Sequence, residues 1–172
     1  MLTTLRTTAL AAMICMVALL AACSDDSSPT DPTPTGDLAV SLTLNGGGLS
    51  NKVLSFADSS SMSTYSAADD LTVVRFNGNV DGKAISVVVS FKGTSKNTRQ
   101  LDGTSPGEGV IVQWGTEVYA AMTQGSIGIT KYDDRVGGEV EGSFSGTAAG
   151  TASGQVVTYT ISGGSFTSKR AS

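Results

Sequence analysis

The chain contains no histidine, and only two cysteines, Cys15 and Cys23, among 172 residues. Without imidazole, Ser-His-Asp and Cys-His nucleophilic systems are excluded, as is histidine-ligated zinc. Both cysteines sit near the N-terminus, so the sequence after residue 23 has no disulfide, redox pair or cysteine nucleophile. Any catalysis there would rest on carboxylate, lysine, tyrosine or serine side chains, and no cofactor motif is present. Long apolar runs are missing too. Residues 9–20 are 12 uncharged, mostly apolar positions, against the roughly 20 that a helix needs to cross a bilayer, so no permanent span is expected. Positive charge is short: 11 Lys and Arg face 15 Asp and Glu, a formal net charge of −4. A phosphate backbone would be repelled on average, so no nucleic-acid partner is expected.

Arg6 precedes the apolar run, which ends on Leu20-Ala21-Ala22-Cys23. A basic residue, a short apolar segment and small residues before a cut make a signal peptide. A cysteine directly after Leu-Ala-Ala resembles the lipobox of bacterial lipoproteins. The resemblance implies that residues 1–22 are removed and that Cys23 becomes a lipidated N-terminus carrying diacylglycerol and an N-acyl chain such as palmitate. More than one acyl chain anchors stably. The membrane is then a partner through that anchor.

Residues 24–36 hold three of the four prolines and no apolar side chain beyond them. They cannot bury enough surface to fold and read as an extended, disordered Ser/Thr/Pro/Asp tether. At about 3.1 Å per residue these positions reach up to roughly 40 Å. Ser24 after the cysteine is unlike the aspartate of inner-membrane retention, and Cys-Ser-Asp-Asp is similar to the acidic export signal of Bacteroidetes lipoproteins. Both resemblances imply the outer membrane, on its periplasmic or cell-surface face.

Residues 37–172 carry all ten aromatics and are expected to form one all-β domain. Leu38, Val40, Leu42 and Leu44 alternate with smaller or polar residues at period two, and Asn45-Gly46-Gly47-Gly48 breaks the pattern. Strands are expected at 38–44, 52–57, 71–79, 84–91, 110–114, 117–122 and 126–132, with two more in the last forty residues. Asp81-Gly82 supplies a tight hairpin turn. Residues 58–70 read as a loop or a short irregular segment pinned by Met62 and Tyr65, and residues 93–109 as the longest loop; long loops on a rigid scaffold often carry function. Val140, Gly142, Phe144, Gly146 and Ala148 share one face, and its glycines suggest bulges or a close strand approach. With no useful helical period, about nine strands argue for a single antiparallel β-sandwich or barrel-like domain.

Residues 126–133, 138–148 and 159–166 pair a strand ending in Tyr-Asp with a Gly-x-Phe strand and close on Ile-x-x-Gly-x-Phe. This resembles the C-terminal half of small β-rich Bacteroidetes-type lipoproteins carrying a domain of unknown function. The resemblance implies an all-β fold and anchoring, and transfers no activity.

These residues bear on three functions. Glu139 and Glu141 lie two apart on one strand face, with Asp133 and Asp134 in the preceding turn. They are the raw material for a carboxylate-based carbohydrate-active enzyme; Lys131 and Arg135 flank them, which suits a solvated ion cluster. A lipocalin-like carrier of a small apolar ligand would need surplus apolar residues around a cavity, whereas the alternation is used up by one core. The third reading, a non-catalytic binding or structural module contacting a protein or glycan through residues 58–70 and 93–109, is the expectation. Asn77, Asn79, Asp81 and Gly82 mimic the start of an EF-hand loop, but the twelfth position is Val88 and no helix flanks it, so no metal site is expected. Trp114 is expected to be a core or strand-end aromatic rather than a binding platform. The expected site residues therefore reduce to the lipidation site, Cys23.

Overall fold

The computed structural model describes residues 39–171. Cys23, the apolar run and the tether 24–36 lie outside the described residues. Ten strands, and among the described residues no helix, build the domain: β1 (Ala39–Gly46), β2 (Leu49–Ala57), β3 (Met62–Ser66), β4 (Leu71–Val80), β5 (Lys83–Lys92), β6 (Thr98–Asp102), β7 (Gly109–Trp114), β8 (Val118–Tyr132), β9 (Glu139–Ala152) and β10 (Gln155–Arg170). The all-β expectation holds, with differences in how the strands are cut.

The β4–β5 hairpin is the one read from the sequence. Asp81 and Gly82 adopt φ of 52° and 73° between Val80 and Lys83, the left-handed pair that a two-residue turn requires. Ile85, Val87, Val89 and Phe91 face inward and are buried.

The segments 117–122 and 126–132, expected as two strands, are one continuous strand, β8. The cause is a bulge between Met122 and Gln124. Ahead of it Val118, Ala120 and Met122 point inward; past it Ile127 and Ile129 do. The extra residue flips the parity, and in the sequence a parity flip looks like a break. A second bulge between Ile161 and Gly164 does the same to β10, where the inward set changes from Tyr159 and Ile161 to Gly164, Phe166, Ser168 and Arg170.

The expected loops each carry a short strand. β3 turns only Ser63 and Tyr65 inward and β6 only Arg99 and Leu101. Neither shows the apolar alternation that identifies a strand, because their long neighbours β10 and β8 supply the pairing template.

The strands close as a ring, β10-β3-β4-β5-β7-β8-β9 and back to β10, with β2-β1 branching from β10 and β6 from β8. Every pairing is antiparallel except β10 with β3, which is parallel and only two residue pairs long, Lys169↔Met62 and Arg170↔Ser63. The long strands make the branching possible. One edge of β10 serves β1 and then β3, and one edge of β8 serves β7 and then β6. The result is a closed ring of strands that is not a regular barrel.

Glycine lets the long strands crowd. A Cβ at Gly142 would sit 2.5 Å from the Gly128 carbonyl oxygen and 2.8 Å from the Phe166 ring. The interior is filled by aliphatic side chains around Phe76, Phe144 and Phe166, whose rings meet at 6.3 and 6.4 Å. Burying one such ring contributes about 1.5–3 kcal/mol.

β2 and β4 lie side by side without a shared ladder, and side chains join them. The Phe56 ring covers Gly78, Lys52 pairs with Asp81, and Asp58 Oδ2 accepts the backbone N–H of Asn77 at 2.7 Å. Asp58 thereby occupies the edge of β4 where β3, which pairs only Leu71–Arg75, has ended.

Candidate functional site

The β8–β9 turn and the end of β10 enclose a surface cleft of about 550 Å³. Its walls carry Lys131, Asp133, Arg135, Glu139 and Lys169, with Val136, Gly137 and Gly138 at its floor and rim. Register brings these together: Lys131 lies opposite Glu141, and Glu139 opposite Lys169. The turn is held by Gly138 N–H to the Arg135 carbonyl at 2.8 Å, and by Gly137 N–H to the Arg170 carbonyl at 2.8 Å.

The structure thus brings together the carboxylates that the sequence offered as catalytic material, and it pairs them. Lys131 Nζ bridges Glu139 and Glu141, reaching Glu141 Oε1 at 3.3 Å. The hydrogen bond from Lys131 holds the Glu139 carboxyl below its usual range, and the same contact raises the Lys131 ammonium. Asp133 accepts Arg135 Nε at 2.9 Å and Nη2 at 2.6 Å, which with the Arg135 backbone N–H lowers its carboxyl to about 2. A glycosidase's general acid needs a raised carboxyl, and Asp133 and Glu139 move the other way. The cleft offers fixed charges of both signs. Such exposed pairs add little stability; what they offer is a patterned surface.

Trp114 is a covered strand-end aromatic. It is 6% exposed, its Nε1–H donates to the Val80 carbonyl at 3.0 Å, and the ammonium groups of Lys52 and Lys83 lie 5.2 and 4.9 Å from the ring centroid. No bare face remains for a ligand to stack on. Of the EF-hand mimic, Asn77 and Asn79 lie along β4, while Asp81 is in the turn and taken by Lys52.

The segments expected to meet partners are tied down. In 58–70, Asp58 Oδ1 accepts the Ser60 N–H at 2.9 Å and the Ser60 hydroxyl at 2.6 Å. Burial alone would raise the Asp58 carboxyl, but these bonds and the one from Asn77 together bring it below its ordinary value. In 93–109, Arg99 packs over Phe91 at 5.1 Å and approaches Glu108, whose Oε1 accepts the Lys92 N–H at 2.8 Å. Desolvation lowers the Arg99 guanidinium.

Sequence reasoning missed two charged residues, Asp58 and Arg170, which are only 8% and 9% exposed. For Arg170 a signal existed. It shares the parity of Phe166 and Ser168, so counting by twos from the Gly163-Gly164 bend puts it inside. For Asp58 the local half was available, since Ser60 two residues on is a turn partner, but its burial comes from Asn77 on another strand, which no local pattern shows.

No family model matches the chain, and neither a curated protein nor a solved structure is similar to it.

Proposed function

We propose that this chain is an outer-membrane lipoprotein, acylated at Cys23, whose β domain is a non-catalytic binding or structural module displayed on the 24–36 tether. The observation that carries the reading is Leu20-Ala21-Ala22-Cys23 placed directly after a 12-residue apolar run. A run of that length suits export rather than spanning, and the cysteine at the cut suits acylation. Within the domain, an interior filled by one core favours a module over an apolar-ligand carrier. Carboxylates held ionised by Lys131 and Arg135 favour it over carboxylate catalysis. The partner, a protein or a glycan, would meet the mixed-charge cleft at the β8–β9 turn or the pinned segments 58–70 and 93–109. The test is radiolabelled palmitate fed to cells expressing the wild-type chain and Cys23→Ala. Label in the wild type alone supports the reading, whereas label persisting in the variant overturns it.

A further inference from the structure

The inward face of β10 ends in a charge that no carboxylate answers among the described residues. Arg170 is 9% exposed, and its Nε and Nη1 are sealed without a hydrogen-bond acceptor among the described residues. The guanidinium lies 5.7 Å from the centroid of the Tyr65 ring, and the Tyr65 hydroxyl is already given to Asp70 Oδ1 at 2.8 Å. Asp70 makes no ion pair with Arg170 among the described residues. Ser168, the preceding inward residue on β10, is also fully buried with its hydroxyl unpartnered.

Burying a guanidinium and leaving Nε and Nη1 unpaired is expensive, and part of the cost is recovered when an anion's oxygen reaches one of them. The way in is beside it. Arg170 sits in the ring's weakest lateral joint, the parallel β10–β3 contact of two residue pairs, closed beyond by a single bond from Ala171 N–H to the Ser63 carbonyl at 2.9 Å. The joints on either side of it in the ring, β9–β10 and β3–β4, are longer ladders. A local opening there would expose the guanidinium without unzipping those longer ladders.

We propose that the β3–β10 joint is a binding site for a small monoanionic carboxylate, held by the Arg170 guanidinium with Ser168 as a hydroxyl donor and the Tyr65 ring as cover. Charge sets the ligand class. One guanidinium supplies one positive charge, and the inward residue beside it, Ser168, adds a hydroxyl rather than a second cation, while the Ser63 hydroxyl already donates to the Lys169 carbonyl at 3.4 Å. The site lies on the inner face of the ring, apart from the outer-face cleft, and does not depend on anchoring at Cys23.

The purified full chain, labelled with nitrogen-15, is titrated with sodium butyrate while the backbone amides of Ser63 and Ala171 are followed by NMR. Butyramide and inorganic phosphate serve as the comparison probes. The proposal requires a saturable shift with butyrate, none with butyramide, none in Arg170→Met, and binding about tenfold weaker in Arg170→Lys, which keeps the charge and loses the planar guanidinium donors. Arg170→Lys keeps the test decisive if Arg170→Met does not fold. A flat butyrate titration, an equal response to butyramide, unchanged affinity in Arg170→Lys, or saturation by phosphate where butyrate gives none overturns it.

Discussion

Replacing Asp58 with asparagine removes one charge and almost no volume, so its effect isolates what the carboxylate does at the seam between β2 and β4. In the native domain Oδ1 takes two donors from Ser60, and Oδ2 takes the Asn77 N–H. An asparagine keeps one oxygen. If it stays with Ser60, its NH₂ meets the Asn77 N–H donor to donor, and the edge of β4 beyond β3 loses its acceptor. A hydrogen bond to a charged group contributes about 1.5–3 kcal/mol, so Asp58→Asn should cost about 2 kcal/mol. With an unfolding entropy near 0.28 kcal/mol/K for a domain of this size, Tm should fall by about 7 °C. The pH dependence carries the sign. The folded-state pKa of Asp58 is depressed, so its contribution is complete above the ordinary aspartate value of about 3.9 and fades as pH drops through the lower folded value. The gap between wild type and variant should therefore be widest at neutral pH and should narrow in acid. Calorimetry from pH 7 down to pH 3 measures both. A Tm within about 1 °C of wild type at pH 7, or a gap that widens in acid, refutes the role assigned to Asp58.

Two further perturbations probe the long strands and the cleft. Gly142→Ala places a methyl group against the Gly128 carbonyl and the Phe166 ring, and should cost about 1–3 kcal/mol in urea unfolding; an unchanged midpoint would mean that β8 and β10 are not drawn that close to β9. Arg135→Gln should release the Asp133 carboxyl from about 2 toward the ordinary value of about 3.9, followed by carbon-detected NMR titration; no movement would show that the side-chain pair is not what holds it down.

The parts of the fold that were legible in the sequence are those where period two runs unbroken. β4, β5 and β9 alternate cleanly, and the Asp81-Gly82 turn fixes β4 and β5 as neighbours. What was not legible falls into two physical kinds. β8 was cut in two because the bulge after Met122 reverses which residues face inward, and a local window reads that reversal as an end. β3 and β6 look like loops in the sequence because their strand character comes from the edges of β10 and β8, which no local propensity encodes. The carboxylates of the cleft were visible as charges two apart. Their neutralisation by Lys131 depends on the β8–β9 register, displaced by the irregularity between Ile129 and Lys131, and only the three-dimensional pairing shows it. Arg170 was readable once the Gly163-Gly164 bend was used to reset the count.

The claim on which place and role depend is acylation at position 23. Intact mass spectrometry of the protein purified from membranes tests it most directly. The account predicts a chain beginning at Cys23 and heavier than its sequence by a diacylglyceryl group and an amide-linked acyl chain. A chain whose first residue is unmodified, or one that retains residues 1–22, would contradict it.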